Sequence, residues 1–162
     1  MQETGINLTF AMTGASGAIF GQEMLRALES DDRVGKVHFL ASENSLRVMA
    51  EELGVKGRNG LVEKLLGTRP TKTTQHAEAD VGASIASGSY PSAGMIVLPC
   101  SMGTLASIAN GLADALLHRT GGHSTFRWNR LLRQFQFRFA AAKAQDFLRF
   151  LFTHNLLRSI SL

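Results

Sequence analysis

The residues able to do chemistry gather in three short runs. "TGASGA" (13–18) sets Ser16 among small residues, "ASENS" (41–45) places Ser42 after an apolar run, and "PCSMGT" (99–104) offers Cys100, Ser101 and Thr104 beside Gly103. Each follows an apolar stretch and precedes an amphipathic one, which is the pattern of a strand-to-helix turn. Such turns gather backbone N–H groups at the positive end of a helix dipole and favour an anion such as phosphate. In the first run, Gly14 and Gly17 let the backbone approach a ligand closely, or they serve only to permit a tight turn. The run is neither a Walker loop nor G-x-G-x-x-G.

The second run discriminates among ligands. Dinucleotide-binding folds usually carry Asp or Glu near the end of the second strand to grip a ribose diol, and here Ser42 follows "HFLA". A hydroxyl there suits a phosphorylated mononucleotide with a polyol chain, and helix capping explains it equally well. The third run adds Ser101, the Gly103 backbone and Thr104 at another helix start. Cys100 has no histidine near it in sequence and reads as a small buried thiol rather than a nucleophile. His38, His76, His118, His123 and His154 show no metal-ligand spacing, so no metal site is expected.

Alternating elements position these runs. "INLTFAM" (6–12), "KVHFLA" (36–41) and "GMIVLP" (94–99) read as buried strands. "FGQEMLRALES" (20–30), "SENSLRVMAEELG" (42–54, with Ser42 as N-cap and Gly54 as stop) and "SMGTLASIANGLADALLHR" (101–119) read as helices. "GTRPTKTTQHAEAD" (67–80) reads as a polar, mobile connection. Strands alternating with helices imply an α/β fold, a three-layer, flavodoxin-like or Rossmann-like parallel sheet with helices on both faces, whose ligands bind beyond the strand carboxyl ends.

The 162 residues suffice for one domain with a proper core. No apolar run reaches the roughly 18 residues of a membrane span, the N-terminus lacks a signal-peptide pattern, and Cys100 is the single cysteine, so a cytoplasmic, reduced protein is expected. The net charge of +4 is unevenly placed: residues 1–119 hold 10 Lys+Arg against 12 Asp+Glu, residues 120–162 hold 7 against 1. Seven of the ten Phe and the single Trp also fall after Arg119. The chain therefore divides into an α/β domain (1–119) and an atypical basic, Phe-rich segment (120–162). The arginines of that segment, interleaved with aromatics, mimic a nucleic-acid or anionic-membrane surface, but the better reading is that part of it packs in place of missing strands or stays poorly ordered, and no nucleic-acid or membrane partner is expected.

"MTGASGAIFG", "LASENSLRVMAEE" and "IASGSYPSAGMIVLPCSMGTLASIANGLADALLHR" together closely resemble the UbiX-type flavin prenyltransferases, over about residues 6–119. The resemblance implies that the first loop holds FMN. In that family reduced FMN is joined to dimethylallyl phosphate, the flavin N5 taking the allylic carbon as phosphate leaves and C6 closing a fourth ring. The prenylated FMN is passed to a UbiD-type decarboxylase, no metal is required, and the subunits form a homo-oligomer, usually a dodecamer. Matched motif by motif, Gly14, Ala15, Ser16, Ser42, Ser101, Met102, Gly103 and Thr104 would contact FMN, and Ser87, Gly88 and Ser89 would lie beside the prenyl phosphate. Ser16 would relay a proton with Glu52, which matches a family acidic residue; the competing view of Glu52 is a solvated glutamate on a helix face.

After "LLHR" the family continues with segments carrying a catalytic lysine and glutamate, an FMN-contacting arginine and a late tyrosine, none of which has a match in residues 120–162. This places activity in question and keeps two alternatives open. One is an FMN-binding chain without catalysis, altered by truncation or a frameshift. The other is a related flavoprotein cysteine decarboxylase, whose P-A-S-A-N-T motif and helix histidine are absent from "PCSMGT" and "SENSLRVM".

Overall fold

The structure is a computed structural model and describes residues 5–87, 89–112, 116, 117 and 120. Gly88 and the segment 121–162 lie outside the described residues, as do the expectations placed on them. Four parallel strands, β1 (Ile6–Met12), β2 (Val34–Ala41), β3 (Thr73–His76) and β4 (Gly94–Val97), form one sheet in the order β3-β2-β1-β4. Helices α1 (Ala18–Ser30), α2 (Glu43–Leu53) and α3 (Leu61–Leu66) fall between β1 and β3, and α4 (Met102–Ala109) follows β4.

The strand order dictates the layers. From β1 to β3 the chain moves steadily toward one edge, so right-handed crossovers put α1, α2 and α3 on one face. The jump from β3 back past β1 to β4 reverses direction and sends that connection to the other face. The register agrees: Leu8, Phe10 and Met12 align with Val37, Phe39 and Ala41 on the first face. Ala11, Leu40 and Met95 belong to the second, where they pack with Ile85, Ala86, Ile108, Leu116 and Leu117. With both faces covered, β1 and β2 are buried on alternate and intervening residues alike, as in an all-parallel sheet.

Local chemistry sets the element ends. α1 buries Ala18, Gly21, Met24, Leu25 and Leu28, a stripe at helical spacing. Gly21 lies so close to β1 that a Cβ would stand 2.5 Å from Met12 Cε and 2.8 Å from the Leu98 carbonyl oxygen. α2 opens on Ser42, whose Oγ accepts from the Ser45 N–H (3.2 Å), and closes on Gly54 in the left-handed region (φ 69°).

Two expected elements differ. The polar connection 67–80 contains β3, which pairs with β2 from Val37↔Thr73 to Leu40↔His76. Its start is tied to the end of α1 by Glu29, whose carboxylate accepts from the Lys72 N–H (2.9 Å), the Thr73 hydroxyl (2.6 Å), and the N–H and hydroxyl of Thr71. The helix expected over 101–119 stops at Ala109, because Gly111 takes a left-handed conformation (φ 68°); Leu116, Leu117 and Thr120 are helical again beyond it.

Candidate functional site

The strand order reverses between β1 and β4, and the crevice beyond their carboxyl ends is where ligands of open α/β sheets bind. Thr13, 1% exposed, joins its two walls. Its N–H and hydroxyl donate to the Pro99 carbonyl (3.1 and 2.9 Å), and its Oγ1 accepts from the Ser101 N–H (2.7 Å). The Ser42 N–H donates to the Met12 carbonyl (3.1 Å), so all three turns lie along one sheet edge. Thr13 was missed in sequence, since a threonine at a strand end has no signature of its own.

The β1–α1 turn is built around Glu52. Its carboxylate accepts from Ser16 Oγ (2.8 Å), the Gly17 N–H (3.0 and 3.2 Å) and the Ala18 N–H (2.7 Å). Gly17 is left-handed (φ 103°), which turns these N–H groups toward the carboxylate. Glu52 is exposed on the face of α2, yet these bonds tie it to the turn, and it supplies negative charge at the start of α1. The hydrogen bond from Ser16, with those from Ala18 and Gly17, holds its carboxyl below the ordinary range and keeps it ionised at neutral pH.

Gly14 answers to packing. A Cβ built on it would lie 2.4 Å from Asn44 Cβ, in the first turn of α2. Its smallness lets the β1–α1 turn and α2 meet. Ala15 is half-buried between Gly14 and the exposed Ser16.

The start of α4 differs from that of α1. Ser101 Oγ accepts from the Thr104 N–H (3.2 Å) and donates to Thr104 Oγ1 (3.0 Å). Gly103 opens onto space: a Cβ there would meet nothing within 4 Å, and Met102 is 71% exposed. Cys100 is half-buried, and burial pushes its thiol up, against a thiolate nucleophile. Ser87 and Ser89, on the connection into β4, are exposed with their hydroxyls 2.8 Å apart. The structure thus brings Ser16 and Glu52 into contact and sets Ser101–Thr104 beside their turn through Thr13.

Residues 1–125 match the family described as Flavoprotein. Over 115 residues the chain is 40% identical to the flavin prenyltransferase UbiX of Alkalihalophilus pseudofirmus, covering 70% of this chain and 56% of that protein. Two solved structures share the fold. A UbiX in complex with FMN and dimethylallyl pyrophosphate has a TM-score of 0.61 at 34% identity, over 74% of this chain and 58% of that one. A dodecameric FMN-dependent UbiX-like decarboxylase from Escherichia coli O157:H7 has a TM-score of 0.62 at 36% identity, over 73% and 60%. The chain spans a little over half the length of the curated relatives it matches. Among the described residues no helix is long and apolar enough to cross a membrane, and no cluster of three or more His, Cys, Asp or Glu is arranged to hold a metal ion.

Proposed function

The chain belongs to the flavoprotein family, and from that premise we propose that it is a flavin prenyltransferase, joining reduced FMN to dimethylallyl phosphate and yielding prenylated FMN for a UbiD-type decarboxylase. The observation that carries this reading is the meeting, on one sheet edge, of the Ser16–Glu52 pair with the open start of α4. Gly103 leaves backbone space that no described side chain fills, and Ser42, Ser101 and Thr104 border the same edge with hydroxyls, a donor set that fits a flavin mononucleotide. In this reading Gly14, Ala15, Ser16, Ser42 and Ser101–Thr104 hold FMN, while Ser87 and Ser89, with Gly88 between them, receive the phosphate of the allylic substrate.

When bound, reduced flavin supplies the nucleophile. The chain supplies position and a proton route: Ser16 Oγ passes its proton to Glu52 Oε1 as it accepts another, a transfer the 2.8 Å bond already aligns. The exposed Met102 and Leu112 are apolar surface suited to contact between copies in a homo-oligomer.

A second reading, FMN binding without alkylation, is favoured by one observation: residues 120–162 supply no counterpart to the family's catalytic lysine and glutamate, arginine and late tyrosine. One experiment separates the two. The chain is titrated with FMN by fluorescence quenching, then incubated anaerobically with reduced FMN and dimethylallyl phosphate, and the flavin is weighed by mass spectrometry. Saturable binding weakened by Ser16→Ala, followed by gain of one prenyl unit, supports the transferase. Binding without mass gain supports the second reading, and absence of binding refutes both.

A further inference from the structure

A buried histidine lies on the second face of the sheet, away from the Ser16–Glu52 pair. His38, in β2, is 2% exposed and uses both ring nitrogens. Nδ1 is 2.9 Å from Nε2 of His76, at the end of β3, and Nε2 is 2.5 Å from the hydroxyl of Tyr90. The rings of His38 and Tyr90 meet edge to face with centroids 5.1 Å apart. Register explains the meeting: His76 pairs with Leu40, two residues along β2 from His38 and on the same face.

Tyr90 stands beside the serine pair. Its N–H donates to the Ser87 carbonyl (3.1 Å), its carbonyl accepts from the Ser92 N–H (2.8 Å), and its ring packs against the apolar cluster of Ile85, Ala86 and Leu40. Burying imidazole is unfavourable unless both nitrogens are satisfied. A neutral imidazole has one donor and one acceptor, so the row runs with a single sense, Tyr90 O–H to His38 Nε2 and His38 Nδ1–H to His76 Nε2, or the reverse. The buried His38, backed by the half-buried His76, thereby grips one side chain of an exposed turn, and no step of the proposed proton route uses either of them.

We propose that Tyr90 is a positioning residue: tethered through His38 to His76, it fixes the turn on which Ser87 and Ser89 present their hydroxyls to the phosphate of the allylic substrate. The proposal rests on the flavin prenyltransferase reading and adds to it three residues that touch neither reactant.

The test uses the full chain loaded with FMN and titrated with dimethylallyl phosphate by calorimetry, with FMN affinity measured separately for every variant. Tyr90→Phe removes the hydroxyl alone. His38→Asn keeps an amide near Nδ1 and abandons Tyr90, whereas His38→Gln carries its amide to the position of Nε2 and restores a partner. Tyr90→Phe and His38→Asn should weaken dimethylallyl phosphate about five- to tenfold, the worth of one hydrogen bond, His38→Gln should recover most of that loss, and FMN affinity should stay unchanged in all three. Equal affinities for dimethylallyl phosphate throughout, parallel loss of FMN and dimethylallyl phosphate, or an FMN-loaded wild type that does not bind dimethylallyl phosphate would each overturn the proposal. A wild type that fails to take up FMN would instead refute the flavin reading, and the proposal with it.

Discussion

Replacing Gly14 by alanine tests whether that glycine serves the ligand or the fold. The added methyl would stand 2.4 Å from Asn44 Cβ, whereas apolar carbons rest at about 3.5–4.0 Å. One side must therefore yield by more than about 1 Å, and both belong to packed elements, the β1–α1 turn and the first turn of α2. Forced overpacking of this kind costs about 1–3 kcal/mol, which for a chain of this size lowers Tm by roughly 5 °C. Asn44→Gly removes the opposing Cβ and leaves Asn44 C and Cα as the next neighbours, at 3.3 and 3.4 Å. That variant alone loses about 0.5 kcal/mol of helix propensity, and in the double variant it should return most of what Gly14→Ala takes. The assay is thermal unfolding of the wild type, both single variants and the double variant, with the coupling read from the cycle. Strictly additive losses, or a Gly14→Ala variant that unfolds with the wild type but no longer quenches FMN, would show that the glycine makes room for ligand, and the packing argument would be wrong.

Two further outcomes follow from the same contacts. Gly103→Ala meets no atom within 4 Å, so in α4 it should leave stability unchanged or raise it by up to about 1 kcal/mol, yet weaken FMN about tenfold if the flavin occupies that space; unaltered FMN affinity would remove Gly103 from the site. Stability should also fall on mild acidification. Burial, with Lys36 and His76 nearby, lowers His38 from 6.5 to about 4, and His76 is lowered by burial against the opposing pull of Asp80. The unfolded chain then binds the extra proton first, so stability present above about pH 6.5 drains away as pH falls toward about 4, by roughly 3 kcal/mol for His38. Urea unfolding at intervals from pH 7.5 to 5, above the range where the lowered carboxylates Glu29, Asp31 and Glu52 begin to contribute, measures this; a flat profile, or an unchanged slope in His38→Gln, would sink it.

The strands and helices that write their own boundaries were readable from the chain. Apolar runs marked β1, β2 and β4, and Ser42 and Gly54 bracketed α2 where the structure places its caps. β3 was not readable, because "TTQH" has neither apolar alternation nor a turn signal: its place is set by pairing to β2 and by a carboxylate more than forty residues earlier, Glu29. The break at Gly111 was visible as a glycine but looked tolerable within an amphipathic run, and α3, a short "LVEKLL" between two left-handed glycines, fell below the length at which periodicity speaks. Ser16 and Glu52 were paired through a family resemblance, since no local pattern links residues 36 apart. The row from Tyr90 to His76 lay further out of reach, for it depends on the register of the strand that the sequence concealed.

The two helix starts on the sheet edge are chemically unequal, and this divides the site. At α1 the first-turn N–H groups of Gly17 and Ala18 are already spent on Glu52, which remains ionised. Glu52 is exposed and solvent screens it, but a ligand phosphate brought within about 4 Å of that carboxylate would still meet a repulsion between about 1 kcal/mol in water-like surroundings and about 4 kcal/mol at an effective dielectric of about 20, which matches or exceeds what a helix dipole returns. This disfavours anionic groups beside Ser16, whereas the start of α4 and the Ser87–Ser89 turn present hydroxyls. What stays beside Ser16 must be neutral or a proton donor. An anion placed at that turn would have to displace Glu52, so Glu52→Gln, which keeps the shape and removes the charge, should raise the affinity for free inorganic phosphate only if the start of α1 is the anion site; no change in that affinity is the result the geometry requires, and under the proposed flavin prenyltransferase reading turnover should fall as well.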